Sequence, residues 1–395
     1  MDLFNSESSI IITCNKWLAP YLEQEIRSLG FAPEYIFATG IELRGTMNDC
    51  IKLNLNLRCA SQVHYSLKTF PCNHPDELYR TLSEFEWENL LTNDGYFSVT
   101  SHVDHPTMNT PLFANVKVKD AIVDRLRSVT GQRPNTGPDL TGAVIYLYWK
   151  GKEAEVFIDT SGETLAKHGY RKIPGKAPML EALASATVMA TKWDRESPFI
   201  NPMCGSGTLA IEAALIATNR VPGLLRENYA FMHIKGYDAA VFSNELRQIR
   251  EQVREVPGLK IMATDIRQDA VDVSKINAGI AGVEQYIHFE TCDFEKTPIP
   301  PDQSGVVFFN PEYGERLGDV QALEETYARI GDFMKKQCKG YTGYIFTGNL
   351  ELAKKIGLKA KRRIEFYNAK LDCRLLEYEL YAGTRRKEVV TDTAE

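Results

Sequence analysis

The sequence has no C-x-x-C pair, although it holds eight cysteines: Cys14, Cys50, Cys59, Cys72, Cys204, Cys292, Cys338 and Cys373. That spacing gives no support to a zinc site or to thioredoxin-like chemistry, so no metal is expected. The cysteines read as reduced, mostly buried thiols of a cytoplasmic protein. No uncharged apolar run is long enough to span a bilayer. Near the start, Asp2 and Glu7 precede Ile10-Ile11-Ile12 with no basic lead-in, so a signal peptide is not expected. There is no excess of positive charge; the net charge is -6. Bulk composition therefore gives no support to a nucleic-acid role. Internal repeats and low-complexity tracts are absent too. What remains is a globular composition, 44% hydrophobic and 25% charged, over 395 residues. That length predicts two or three domains.

Positive charge is concentrated locally. Lys117, Lys119, Arg125, Arg127 and Arg133 form one cluster, and Lys167, His168, Arg171, Lys172 and Lys176 another. Taken alone, either reads as a solvated face or as a surface for phosphates.

Two textures follow one another along the chain. The first 160 or so residues mix short strands and amphipathic helices, which predicts a small α+β domain or two fused ones. A single helical stretch is predicted from His74 to Leu91. The segment SGETLAKHGYRKIPGKAP, residues 161–178, is basic, rich in Gly and Pro and almost without apolar pattern, and predicts a linker. Beyond it, the strands SPFIN, LKIMAT, YIHFET, GVVFFN and YTGYIFT alternate with helices. That alternation predicts an open, mostly parallel α/β sheet with helices on both faces. The polar end of the chain, residues 384–395, is expected to be disordered.

Four stretches carry chemistry. In FINPMCGSGTLAIEAA a strand ends at Asn201. The turn Pro202-Met203-Cys204-Gly205-Ser206-Gly207 then leads into a helix at Thr208. Glycines let a ligand approach the backbone, and the helix start offers free N–H groups. No Lys follows the glycines, so this is not a phosphate loop. A nucleotide loop, a dinucleotide loop and a plain tight turn all remain open. Asp265 ends the next strand, where a carboxylate can accept from two ribose hydroxyls, with Ile266 beside it for an adenine face; it can equally cap a helix. Asp293 and Phe294 close the third strand, suited to an adenine amine and to the opposite face; a loop Asp beside a core Phe is the alternative. Last, FFNPEYGERLG puts Asn310, Pro311, Glu312 and Tyr313 at the end of the fourth strand. The Asn310 side-chain oxygen and the Pro311 carbonyl can accept both hydrogens of a planar exocyclic amine. Tyr313 offers a face for base stacking. A turn of good turn formers is the alternative.

The stretches NPMCGSGTLAIEAA and NPEYGERLG resemble the class I S-adenosylmethionine-dependent methyltransferases that act on exocyclic amines. With RPN at 133–135, HGYR at 168–171, NRVPGL at 219–224 and LDCR at 371–374, the chain is similar to the THUMP-containing RNA methylases. Among these it resembles the bacterial enzymes that methylate N2 of a guanine in 23S ribosomal RNA. The resemblance implies a ferredoxin-like segment over 1–57, a THUMP RNA-binding domain over 58–160 and a Rossmann-like methyltransferase domain over 179–383. It also implies that the second methyltransferase of the bacterial fusion enzyme is absent. S-adenosylmethionine would sit against residues 201–208, Asp265, Ile266, Asp293, Phe294 and Asn310, with RNA on the two basic clusters. Two positions depart from the family pattern. Asn201 stands where Asp is common, keeping an acceptor but losing charge toward a cationic methionine amine. Glu312 stands where N-P-P-Y has proline. Its carboxylate either accepts from guanine N1–H and N2–H or points away. Transfer RNA as substrate, adenine N6 as target, and a non-catalytic RNA-binding assembly factor are the alternatives.

Overall fold

The computed structural model describes residues 2–106, 110–173, 179–301, 303–314 and 320–381. Lys176, the expected disordered tail and the motif beyond Gly314 lie outside these residues. The first half runs β1 (Ser8–Thr13), α1 (Ala19–Ser28), β2 (Tyr35–Phe37), β3 (Gly40–Gly45), α2 (Met47–Asn56), β4 (Gln62–Pro71), α3 (Pro75–Ser83), β5 (Tyr96–Asp104), α4 (Pro111–Thr130), β6 (Asn135–Thr136), β7 (Ala143–Lys150) and β8 (Glu153–Asp159). Its strands form one sheet in the order β2-β3-β1-β4-β8-β7-β5-β6. The long strand β4 joins the two parts. Residues Gln62 to Tyr65 pair with β1, while β8 runs along nearly all of β4 across a bulge between Ser66 and Lys68. The two regions expected to be ferredoxin-like and THUMP-like therefore share a continuous sheet.

The stretch from His74 to Leu91 is not one helix. α3 ends at Ser83 and a short 3₁₀ turn covers Trp87–Asn89. Trp87 is fully buried and its indole N–H donates to the Leu82 carbonyl at 2.7 Å. Bringing that ring inward while pairing its donor turns the chain out of the helix.

The second half runs α5 (Glu181–Ala190), β9 (Phe199–Pro202), α6 (Thr208–Ala217), α7 (Ala239–Glu251), β10 (Ile261–Asp265), α8 (Gln268–Ala281), β11 (Ile287–Thr291), β12 (Val306–Phe309), α9 (Val320–Gln337), β13 (Thr342–Thr347), α10 (Leu350–Lys355), β14 (Arg362–Asn368) and β15 (Leu371–Glu379). The sheet order is β11-β10-β9-β12-β13-β15-β14. The first five are parallel, and the β14–β15 hairpin adds antiparallel strands at the edge. β9 and β12 are buried at every position, as strands covered on both faces must be. Chain order reverses between these two, which puts the switch-point crevice at their carboxyl ends.

The basic segment is not a loose linker. From Leu165 to Tyr170, buried Leu165, Ala166, His168 and Tyr170 surround exposed Lys167. It is a strap wedged between the two halves. His168 donates through Nδ1 to Glu212 of α6 at 2.8 Å and through Nε2 to the Arg58 carbonyl at 2.9 Å. Two acceptors on one ring require a protonated imidazole. Burial alone would lower the His168 pKa, but the charge and hydrogen bond of Glu212 raise it above the ordinary value. Tyr170 and Ser185 hydroxyls also donate to Glu212, at 2.8 and 2.5 Å. This carboxylate is the one charge in the otherwise nonpolar middle of α6, and it joins the strap to the helix that carries the glycine turn.

Candidate active site

The site is built where β9 and β12 part. Their ladder pairs Val306 with Phe199 and Val307 with Ile200, then stops. Asn201, 1% exposed, fills the gap, its amide donating to the Phe308 carbonyl at 3.0 Å. The reverse amide orientation would set two oxygens against each other. The remaining Asn201 oxygen is buried without a partner among the described residues, and so is the Asn310 side-chain oxygen. Two orphaned acceptors at one crevice are costly unless a ligand donates to them.

The turn after β9 is tightly wound. Met203, Gly205 and Gly207 have φ of 57°, 56° and 81°. At Gly207 a Cβ would stand 2.9 Å from the Ser274 side chain, so no larger residue fits against α8. At Gly205 a Cβ would meet nothing within 4 Å, so this backbone faces open space. The loop is fastened by Cys204 N–H to the Thr264 carbonyl at 2.9 Å, by the Ser274 hydroxyl to the Gly205 carbonyl at 2.8 Å and by Asn277 to the Ser206 carbonyl at 3.2 Å. Burial pushes the Cys204 thiol up to about 12, which leaves it an inert packing group. Pro202 and Thr208 are buried; Met203 and Ser206 are half-buried.

Asp265 belongs to the same construction. Its carboxylate accepts from the Gly205 amide at 3.0 Å and from the Arg267 amide at 3.0 Å. Ile266 beside it is 68% exposed, an apolar side chain in the open at the crevice. The third strand departs from expectation. Phe294 is buried, edge-on to Phe309 and Phe333, with the Arg329 guanidinium 4.9 Å from its ring. It packs as a core Phe, the alternative reading of this stretch. Arg329 of α9 donates to both oxygens of Asp293 at 2.9 Å. Burial alone would raise the Asp293 pKa; those hydrogen bonds hold it below the usual carboxylate range. Asp293 also accepts from the Glu295 amide at 3.0 Å, so it shapes the crevice wall as well as facing it.

After β12, Pro311 is buried, Glu312 is exposed and Tyr313 is half-buried. Tyr313 is held by residues the sequence reading missed. Asn368, at the end of β14, donates to its hydroxyl at 2.8 Å, and Asn349 donates to its carbonyl at 3.4 Å. A Cβ on Gly348 would stand 3.3 Å from the ring. The only signal for Asn368 was its place just before LDCR.

The basic clusters separate. His168 is sealed inside the protein and cannot touch a phosphate. Arg171 also turns inward, donating to the Met179 carbonyl at 2.6 Å, Glu181 at 2.7 Å and the Thr208 hydroxyl at 3.3 Å, which steadies the first turn of α6. Arg125 pairs with Glu88, Lys117 with Asp76 and Lys119 with Asp120. Arg133, Lys167 and Lys172 are exposed, the last two on a groove of about 1130 Å³ between the halves.

Comparison with known proteins decides the family. Residues 168–377 match the RMKL-like methyltransferase domain, residues 9–64 the ferredoxin-like domain of RlmL and residues 72–159 the THUMP domain. The chain belongs to the RMKL-like methyltransferase family. A ribosomal RNA large subunit methyltransferase K/L of Syntrophotalea carbinolica is 34% identical over 93% of this chain and 53% of its own length. The chain thus spans about half the length of the curated relatives it matches. A putative RNA methyltransferase of Synechocystis, slr0064, is 29% identical over 93% of this chain and 96% of its own. Among solved structures, SMU.472, a putative methyltransferase complexed with SAH, superposes with a TM-score of 0.86 at 26% identity, covering 96% of this chain and 100% of that one. The RMKL-like domain begins at His168, inside the strap, where the sequence had suggested a linker. No helix among the described residues is long and apolar enough to cross a membrane.

Proposed function

We propose that the protein transfers a methyl group from S-adenosylmethionine to the N2 amine of a guanine in 23S ribosomal RNA. The observation that carries this reading is the pair of buried oxygens on Asn201 and Asn310 at the switch point, neither with a partner among the described residues. Their chemistry matches the two amines the reaction brings together. The Asn201 oxygen suits the ammonium of the cofactor's methionine part. The Asn310 oxygen, with the Pro311 carbonyl, suits the exocyclic amine of the base.

The residues present fit the cofactor. The open backbone at Gly205 accommodates its close approach, Asp265 is oriented to accept from ribose hydroxyls, and Ile266 offers apolar cover. When bound, S-adenosylmethionine supplies an electrophilic methyl group. The protein's part is orientation. Asn310 and Pro311 hold both amine hydrogens, which turns the nitrogen lone pair out of conjugation with the ring. Proline has a fixed φ and no donor, so its carbonyl is held stiffly. Tyr313, fixed through its hydroxyl, stacks on the base. A paired guanine must be flipped to reach this crevice, at a cost of a few kcal/mol. Glu312, exposed beside the cradle, accepts from N1–H and so selects guanine. RNA phosphates meet Arg133, Lys167 and Lys172. The homology to K/L methyltransferases and the THUMP match support RNA, and ribosomal RNA in particular, as substrate.

The test is nucleoside analysis of ribosomal and transfer RNA from cells with and without the gene. Loss of N2-methylguanosine from 23S RNA is expected. Loss of N6-methyladenosine, or loss from transfer RNA alone, would reassign the target, and no change in either RNA would leave the activity without support.

A further inference from the structure

Thr291 pairs with Asp265 in the β10–β11 ladder, and the next residue, Cys292, donates its amide to the Asp265 carbonyl at 3.0 Å. Asp293 therefore stands one residue past a bond to Asp265, whose own carboxylate holds the Gly205 amide. It lies at the same carboxyl end of the sheet as the glycine turn. Its side chain is 28% exposed. Oδ1 accepts from Arg329 Nη2 at 2.9 Å and from the Glu295 amide at 3.0 Å, and Oδ2 accepts from the same Arg329 nitrogen at 2.9 Å. An ionised carboxylate has about four lone-pair sites. Those three bonds leave one acceptor site on Oδ2 without a partner among the described residues. Arg329, on α9, is itself held in place. Its Nη2 and Nε lie 2.6 and 3.2 Å from Glu295 Oε2, and its guanidinium 4.9 Å from the Phe294 ring centroid.

We propose that Arg329 is a positioning residue for cofactor recognition: it locks the Asp293 carboxylate so that the remaining acceptor site on Oδ2 receives the exocyclic amine of the cofactor's adenine. This rests on the reading of Asp293 as the adenine partner. The Glu295 amide reaches Oδ1 alone and leaves the direction of Oδ2 open. A nitrogen astride both oxygens, on a side chain anchored by a second carboxylate and a ring face, fixes that direction before the ligand arrives. An acceptor already in place loses less freedom on binding than one that must be ordered by the ligand. Protonation would spoil the acceptor, because a carboxyl O–H meets an amine N–H donor to donor. Burial alone would favour that form, and Arg329 opposes it. Asp293 and Glu295 are also like charges two residues apart, and any cation between them would relieve their repulsion. Orientation of Oδ2 is what a positioning role adds, and it is read as discrimination for the amine.

The probes are S-adenosylhomocysteine and its analogue with purine in place of adenine, which lacks only the exocyclic amine. Calorimetric titration of the full chain gives a Kd for each, and their ratio measures recognition of the amine. General damage to the fold raises both Kd values and leaves the ratio alone. Wild type is expected to prefer adenine about tenfold, the size of a charge-assisted hydrogen bond. In Arg329→Met, which keeps apolar cover on Phe294, the ratio should fall most of the way to unity. Arg329→Lys restores a cation without the planar fork and should recover part of it. Asp293→Ala should abolish the preference, and Glu295→Gln, which leaves Arg329 on Asp293, should keep it. If Arg329→Met does not melt cooperatively, Arg329→Gln takes its place with the same expectation. A wild-type ratio in the Arg329 variants, with both Kd values raised alike, overturns the positioning role. If Asp293→Ala nevertheless loses the preference, the reading of Asp293 stands and only the role of Arg329 falls; if Asp293→Ala keeps it, both fall. A wild type that binds neither probe, or both equally, overturns both.

Discussion

Asn201 donates its side-chain amide to the Phe308 carbonyl at 3.0 Å and so closes the gap where β9 and β12 part. An aspartate, which the family resemblance leads one to expect at this position, has no hydrogen to give once ionised. The replacement exchanges a charge for a bridge between the glycine turn and the N-P-E-Y stretch, and leaves one oxygen for the ligand. Asn201→Asp is therefore expected to lose about 1–3 kcal/mol of ligand-free stability, since a buried carboxylate then faces a carbonyl. Asn201→Ala removes bridge and acceptor together, and S-adenosylmethionine Kd is expected to rise about tenfold, the equivalent of about 1.4 kcal/mol. Thermal unfolding and calorimetric titration separate the two effects. Unchanged cofactor affinity in Asn201→Ala would show that the free oxygen has no ligand role.

Asn368→Leu removes the donor that fixes the Tyr313 hydroxyl while keeping similar bulk. The ring keeps its contact near Gly348 but loses its rotational anchor. Small displacements of a group that orients a reacting base cost up to about 100-fold in rate. The expected outcome is a fall in kcat of about tenfold with cofactor affinity unchanged. Tyr313→Phe, which loses the same bond from the other side, should match it. A large drop in Asn368→Leu and none in Tyr313→Phe would assign Asn368 a different partner.

Much of this was legible in the sequence because local rules and the fold agree. The alternation after Pro198 gave the parallel sheet, and the order of glycine turn, Asp265 and N-P-E-Y is the order in which a switch-point crevice is built. Side-chain direction was not legible. Phe294 ends a strand as a nucleoside-stacking residue would, yet it packs under Arg329 between Phe309 and Phe333. His168 and Arg171 lie in a basic, glycine-rich segment, and both turn inward because Glu212 and Glu181 wait there. The signal was the single Glu in TLAIEAALIA: a charge on a buried helix needs a partner. Composition shows how much charge a segment carries, and only long-range contacts show which way it faces.

The buried pair of His168 and Glu212 makes stability depend on pH in a stated direction. His168 is raised above its ordinary value of 6.5, so its contribution is full below pH 6.5 and is lost as pH rises through the raised value. Burial alone would raise Glu212, but the charge and hydrogen bond of His168 hold it below 4.5, so its contribution is lost as pH falls through the lowered value. His168→Ala leaves a carboxylate buried beside two hydroxyls and should cost about 3–5 kcal/mol. The difference from wild type in urea midpoint should be largest between pH 4.5 and 6.5 and shrink on either side. A difference independent of pH would mean that the cost is lost packing alone.

Glu312 is exposed immediately after buried Pro311, at the one position of the cradle where the family pattern has a second proline. Two effects of replacing it oppose each other. Glu312→Pro stiffens the backbone beside the Pro311 carbonyl, which favours the methyl-transfer step for any amine. It also removes the acceptor for N1–H. Adenine lacks an N1–H, so that loss falls on guanine alone. Charge-assisted hydrogen bonds contribute about 1.5–3 kcal/mol, so kcat/KM on guanine-containing RNA should fall about tenfold or more in Glu312→Pro. Glu312→Gln, which keeps an acceptor without charge, should fall less. Glu312→Ala loses the acceptor without gaining stiffness and should be the slowest. Equal rates across the three, with guanine preference intact, would mean that the carboxylate points away from the base and that selection rests on Asn310, Pro311 and the shape of the crevice.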